Sequence, residues 1–398
     1  MTHEAAPQTF PLPRTCPFGT PAEYRRLRAE EPVSRVTLPT GQSAWALTRL
    51  ADARAMLTSP HFSANRQNPA FPLLFEGERV DPDAPLPMAS QDPPEHTAAR
   101  RALISEFTVP RTKTLLPRIQ AIVDDRIDAM LAGPAAVDLV RALALPVPSL
   151  VICDLLGVPY ADHVFFEECS STTLSRSVTA DQRLDAVMRL YAYLGELVAA
   201  KAADPGDDLL GRQILRQRES GEVDTGTLVS TSLLLLIAGH ESTANMISLG
   251  TLALLADPDR FAAIRADAGK TPGAVEELLR FFSISEVTPR LAMADVEIGG
   301  TLIRAGDGVI ALNSIVNRDA DTFADPDELD IERDARQHIA FGFGVHQCLG
   351  QNLARAELRI VFDTLATRIP GLRLAAGIDE LPFKDALTYG LHELPVTW

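Results

Sequence analysis

The spacing of apolar positions divides the 398-residue chain into a short leading region, a long helical middle and a mixed end. Prolines punctuate the first stretch, to about Pro39, and the amphipathic run Ala22 to Glu30 within it predicts a surface helix. Val33 to Val36 and Ala44 to Leu47 flank Pro39-Thr40-Gly41, the pattern of a short hairpin. From Asn65 to Pro94 the chain carries Pro69, Pro72, Pro82, Pro85, Pro87, Pro93 and Pro94. This predicts a long loop, and such loops in compact enzymes are usually functional.

From Glu95 to about Ala256 the apolar residues recur at helical spacing, with breaks at Gly133-Pro134, Gly157-Val158-Pro159, Pro205-Gly206 and Gly221. The longest helix begins near Thr225 and runs through Leu233 to Ile237 as far as Leu255, stopping before Asp257-Pro258 because the residue ahead of a proline leaves the helical region. A helix so apolar should cross the middle of the molecule. After Glu276 to Phe282 the pattern changes to short apolar pairs, with Gly299-Gly300 and Gly306-Asp307-Gly308 as turns between strands. A last helix starts after Gly350 and continues to about Ile369. With no repeat or linker, residues 1–398 read as a single domain, mainly α with small β-sheets.

Composition narrows the function classes. A formal charge of -16 argues against a nucleic-acid surface, which needs a clustered cationic excess. No cationic start followed by an apolar core marks a secretory signal, and no apolar run is long enough to span a bilayer. Cys16, Cys153, Cys169 and Cys348 lie far apart without CxxC pairs, which suggests neither a zinc site nor a disulfide framework. A soluble, cytoplasmic, reduced protein is expected, without membrane or nucleic-acid partners, as a monomer.

The most informative segment runs from Phe341 to Gly350, F-G-F-G-V-H-Q-C-L-G. Its glycines let the backbone turn tightly, and Cys348 sits just ahead of the last helix. Amide groups and the helix dipole aimed at sulfur would lower the thiol pKa and favour a thiolate ligand for iron. Gly350 leaves room for a flat macrocycle. The plainer reading, a buried free cysteine, suits Cys153 in its apolar run.

The pattern F-G-x-G-x-H-x-C-x-G resembles the haem-binding loop of the cytochrome P-450 family. Other segments resemble the family in the same order: Pro93-Pro94-Glu95-His96-Thr97 with Arg100 and Arg101, Glu277-Leu278-Leu279-Arg280, and Phe323-Ala324-Asp325-Pro326 to Arg333. The resemblance implies a single-domain cytochrome P-450 fold with haem b between the long central helix and the Cys-loop helix. Cys348 would supply the axial thiolate. His96, Arg100, Arg290 and His346 would neutralise the propionates, and Phe341 and Gly350 would complete the cofactor site. Glu277 and Arg280 are three apart on one helical face and could pair with each other or with Arg333. Spacing alone favours a solvated face, whereas the resemblance implies a buried structural network.

Inside the long apolar helix, Ala238-Gly239-His240-Glu241-Ser242-Thr243 places a charge and a glycine where both are unfavourable, a local violation of the kind that marks functional sites. Ala238 and Gly239 could open a groove for dioxygen, with Glu241 and a following hydroxyl delivering protons. Ser242 and Thr243 could also bond back to carbonyls one turn earlier and bend the helix, which is compatible with that role. The segment resembles the family's acid–alcohol pair, but Ser242 stands where threonine is usual and Thr243 follows.

The resemblance is nearest to soluble actinobacterial enzymes that oxidise natural products and xenobiotics, and implies hydroxylation of a small apolar molecule: a statin-type polyketide first, then a macrolide or steroid-like compound. Pocket walls are expected from the Pro-rich loop around Phe71 to Met88, from Leu174, Ile237 and Ala238, from Ile284 in the Ser283 to Val287 stretch, and from Leu391. Each suits core packing equally. No dinucleotide or flavin fingerprint occurs in the chain, so electrons from NAD(P)H are expected through a ferredoxin and its reductase, docked where Arg111, Lys113, Arg355 and Arg359 form a local basic patch. A peroxide-driven peroxygenase and a haem-based gas sensor are the rival functions, and Glu241-Ser242 argues against both.

Overall fold

The longest apolar run forms one unbroken helix, Thr225–Leu255. Asp224 caps its start by accepting the Thr227 amide at 2.9 Å, and Asp257 caps the next helix, Pro258–Ala266. Every residue from Thr243 to Leu254 is buried. The helices Pro146–Leu156, Ala180–Ala203 and Gln351–Arg368 pack around it. Gly250 makes one of these approaches possible, since a Cβ there would lie 2.5 Å from Cζ of Phe362. At about 1.5–3 kcal/mol for each large apolar side chain buried, this central packing outweighs the local cost of the polar residues within the helix.

This computed structural model describes residues 9–14, 16–75, 85–175, 177–386 and 388–398. Contacts divide the chain into two units, and the chain passes repeatedly from one to the other. One comprises Ala98–Leu278, Asp330–Asp334 and Leu349–Trp398. It holds the central helix and its neighbours, with Val109–Ala132, His163–Leu174 and Leu209–Ser220. Its small antiparallel sheet runs Ala136–Asp138, Pro395–Thr397, Arg373–Leu374.

The other unit comprises Met1–Thr97, Leu279–Leu329 and Ala335–Cys348. Its five-stranded sheet has the order Val33–Thr37, Ser43–Leu47, Gly308–Leu312, Val287–Ala292, Phe62–Ser63. The expected hairpin is present, pairing Val33 with Leu47. The strand Gly308–Leu312 is buried on both faces, and the period of two sorts its side chains: Val309 and Ala311 join one core with Leu47 and Met56, while Ile310 and Leu312 join another with Leu38 and Tyr24. Gly299 and Gly300 turn the expected two-stranded ribbon Val296–Ile298 and Thr301–Ile303. The helix expected from Glu276 begins earlier, at Thr271, because Pro272 and Gly273 in its first turn read as breakers. The Pro-rich loop carries a single helical turn, Met88–Ser90, and its residues 76–84 lie outside the described residues. Among the described residues no helix is long and apolar enough to cross a membrane.

Candidate active site

The cysteine loop is shaped by two glycines in the left-handed region, Gly342 and Gly344, both at φ 71°. A Cβ on Gly344 would lie 2.4 Å from the Leu57 carbonyl oxygen, so only glycine lets the loop rest against the end of Leu50–Thr58. The Cys348 amide donates to the Phe341 carbonyl at 2.8 Å and closes the loop. Cys348 is partly exposed, unlike Cys153 and Cys169. Burial and the nearby Asp154 push the Cys153 thiol up to about 12, which suits an inert core cysteine. Cys348 precedes the helix Gln351–Arg368 by three residues, where the first amides of a helix lack internal partners. A Cβ at Gly350 would meet nothing within 4 Å.

Cations gather in the same unit. The rings of His96 and His346 lie 4.1 Å apart between centroids. Arg290, half-buried on its strand, donates only to the Pro289 carbonyl at 2.8 Å, and no ion pair to a carboxylate is found for it among the described residues. Burial first, and then the charge of Arg66, push it down to about 10. A guanidinium that is desolvated and set beside another favours an anion. Two propionate carboxylates meet that requirement: the residues present, His96, His346 and Arg290, fit the acid groups of a haem. Arg100 is half-buried on Glu95–Leu103, in the helical unit.

On the central helix, accessibility appears where the sequence placed its irregularity. Leu234, Ala238 and Ser242, each four residues apart, share one face and keep accessible surface, Ala238 most of all; Ile237 beside them is also only part-buried. The Ser242 hydroxyl donates to the Ala238 carbonyl at 2.8 Å and Thr243 to that of Gly239 at 3.2 Å. Both hydroxyls therefore bond back one turn, but Thr243 is 4% exposed and Ser242 is on the open stripe. Glu241 is buried and forms an ion pair with Lys384, whose Nζ lies 2.9 Å from Oε1. Sequence reading missed Lys384. Its signal was a lone lysine, one of four in the chain, in the otherwise largely apolar Leu381 to Leu394 segment.

Glu277 and Arg280 are fully buried, which overturns the solvated-face reading. Glu277 Oε1 accepts from Arg333 Nε at 3.2 Å and from the Asp330 amide at 3.0 Å. Arg280 donates to the carbonyls of Asn317, Pro326 and Glu328 at 3.0, 2.8 and 3.1 Å. Two expected pocket residues are fully buried. Phe71 packs with Leu73 and Leu291, and Leu391 has no exposed surface. Ile284 is nearly buried, whereas Met88 and Leu174 keep accessible surface. Arg355, expected on a basic patch, is bound to Glu276, so its charge is already matched.

Known proteins resemble the chain throughout. A family model described as "Cytochrome P450" matches residues 199–368. Pentalenic acid synthase of Streptomyces avermitilis is 51% identical over 398 residues, covering 100% of this chain and 99% of the relative. The chain belongs to the cytochrome P450 family. Vitamin D3 dihydroxylase of Streptomyces griseolus is 48% identical, with 100% of both chains covered. The crystal structure of cytochrome P450 MoxA from Nonomuraea recticatena superposes with a TM-score of 0.91 at 52% identity, covering 99% of each chain. The mainly helical architecture with small sheets is therefore the cytochrome P450 fold, and the protein is a cytochrome P450 monooxygenase. The family implies a haem-thiolate cofactor, redox partners and a small substrate.

Proposed function

We propose that residues 1–398 act as one monooxygenase domain that hydroxylates a small apolar natural product, with haem b held by the Cys348 thiolate and electrons from NAD(P)H through a ferredoxin and its reductase. His96, His346, Arg290 and Arg100 would bind the propionates, and Phe341 and Gly350 would border the ring. Glu277, Arg280 and Arg333 would support the cysteine loop without taking part in chemistry. When bound, the haem supplies reductive activation of dioxygen. This chain's own residues would manage water and protons. Ser242 Oγ, on the accessible stripe, would hold a water, and a Glu241 carboxylate oxygen would pass protons towards it. Ala238, Ile237, Leu174 and Met88 would present apolar surface to the substrate.

The observation that carries this reading is the open stripe on the central helix, ending at a hydroxyl whose sequence neighbour is a buried acid. The names of the relatives, a pentalenic acid synthase and a vitamin D3 dihydroxylase, support an apolar natural-product substrate class. The protein would act as a cytoplasmic monomer. The test is reconstitution with a ferredoxin, its reductase and NADPH against a panel of terpenoid, secosteroid and macrolide ligands under isotopically labelled dioxygen. A product carrying one labelled oxygen is expected. Turnover with hydrogen peroxide alone and none with the electron-transfer chain would make the protein a peroxygenase and overturn the reading.

A further inference from the structure

The C-terminal hairpin reaches the acid of the central helix through one lysine. Phe383 pairs with Leu391, the Lys384 amide donates to the Gly390 carbonyl at 2.9 Å, and the Phe383 and Tyr389 rings stack at 5.6 Å. This frame turns Lys384 towards the helix, where Nζ donates to Glu241 Oε1 at 2.9 Å and to Asn245 Oδ1 at 3.0 Å. Asn245, one turn after Glu241, completes the clasp by donating through Nδ2 to Thr388 Oγ1 at 3.2 Å. A Cβ on Gly390 would stand 2.2 Å from Asn245 Oδ1, so glycine is required for the hairpin to come this close. The side chains of Lys384 and Glu241 are 9% and 3% exposed. The hairpin also pairs Ala386 with Ser175, the residue that ends the helix carrying Leu174.

An ammonium in so dry a setting fixes the direction of its carboxylate, because an unpaired charge there is strongly unfavourable. We infer that Lys384 is a positioning residue for oxygen activation, setting the charge and direction of Glu241 from the hairpin 383–391. The inference rests on the reading of Glu241 as proton carrier. A carboxylate clasped in this way is an acceptor with one oxygen engaged, which leaves the other to take a proton from water and return it. Without Lys384, the same carboxylate would be left in that setting without its ion pair.

The test uses the haem-loaded protein and two readouts, the first without substrate and the second during turnover. Infrared difference spectra, with the Glu241 band assigned by subtracting Glu241→Gln, should show no protonated Glu241 at neutral pH in the native protein or in Lys384→Arg. In Lys384→Met that band should appear, with a rise of about tenfold or more in protonated fraction, equivalent to about 1.4 kcal/mol. Product per NADPH should fall and hydrogen peroxide rise in Lys384→Met, with recovery in Lys384→Arg. A purely structural clasp would lower thermal stability and loosen substrate binding while leaving the band absent and coupling intact, and that outcome overturns the inference. If Lys384→Met does not fold, Lys384→Gln, which keeps a donor without the charge, carries the same two readouts. If Glu241→Gln couples as well as the native protein, the proton-carrier reading fails by itself, while the infrared band still decides whether Lys384 sets the charge of Glu241.

Discussion

Arg355 grips Glu276 at two points, Nε to Oε1 at 2.6 Å and Nη2 to Oε2 at 3.0 Å, tying the Cys-loop helix to the helix Thr271–Phe282. A guanidinium held this way has little charge left to offer a redox partner. Arg359, one turn later, and Lys113 are exposed. Arg359→Glu and Lys113→Glu should therefore raise the apparent Km for ferredoxin and flatten its dependence on salt, without altering substrate-binding spectra. Arg355→Glu should act differently, lowering the unfolding temperature by setting two carboxylates together. Steady-state rates against ionic strength, beside thermal unfolding, check both. Equal partner defects in all three variants would return Arg355 to the docking surface.

Arg280 is fully buried and donates to three carbonyls. Arg280→Ala leaves these carbonyls without their donor, at about 1–3 kcal/mol for each buried group left unsatisfied, and should yield protein with little haem. Denaturant unfolding and haem content measure this. Full haem content at normal stability would contradict the buried network.

Glu357, on the Cys-loop helix, is 2% exposed, and Oε2 has no hydrogen-bond partner. Burial holds its carboxyl well above the usual carboxylate range. In the unfolded chain the group ionises near pH 4.3, about the ordinary value. Between that pH and the raised folded value the unfolded state binds fewer protons than the folded one, so stability falls as pH rises. Glu357→Gln should flatten this slope, by at most about 1.4 kcal/mol per pH unit, and leave stability below pH 4 nearly unchanged. Denaturant midpoints across pH 4 to 8 test the sign; an unchanged slope would mean that Glu357 is ionised or solvated.

The central helix, the first hairpin and the Cys-loop helix were legible because each follows from local rules. Thr225 to Leu255 needed only an apolar period, an Asp cap and a following Asp-Pro. Glu241 was legible as a charge in the wrong surroundings. Its partner was not, because Lys384 lies 143 positions away and only the folded hairpin brings it near. Pocket and core could not be separated at Phe71 and Leu391 for a related reason: an apolar residue in a loop looks the same whether it faces a ligand or a core. Arg355 was likewise read as a free cation because nothing local indicates that Glu276 reaches it.

Ser242 occupies the accessible stripe while Thr243 turns inward, so the two hydroxyls separate cleanly by mutation. Ser242→Ala should lower product per NADPH and divert electrons to hydrogen peroxide. Ser242→Thr should preserve or improve coupling, since the added methyl narrows the rotamer choice and keeps the donor. Product yield and peroxide release, measured side by side, decide. Coupling unchanged in Ser242→Ala would reduce this hydroxyl to its bond with the Ala238 carbonyl.

The central claim, that Cys348 is the thiolate ligand of a haem, is tested most directly by the optical spectrum of the reduced, carbon monoxide-bound protein. The native protein should show the strongly red-shifted Soret band of thiolate ligation, and Cys348→Ala should lose it whether or not haem is retained. A Cys348→Ala protein that keeps the band would place the ligand elsewhere and contradict the account.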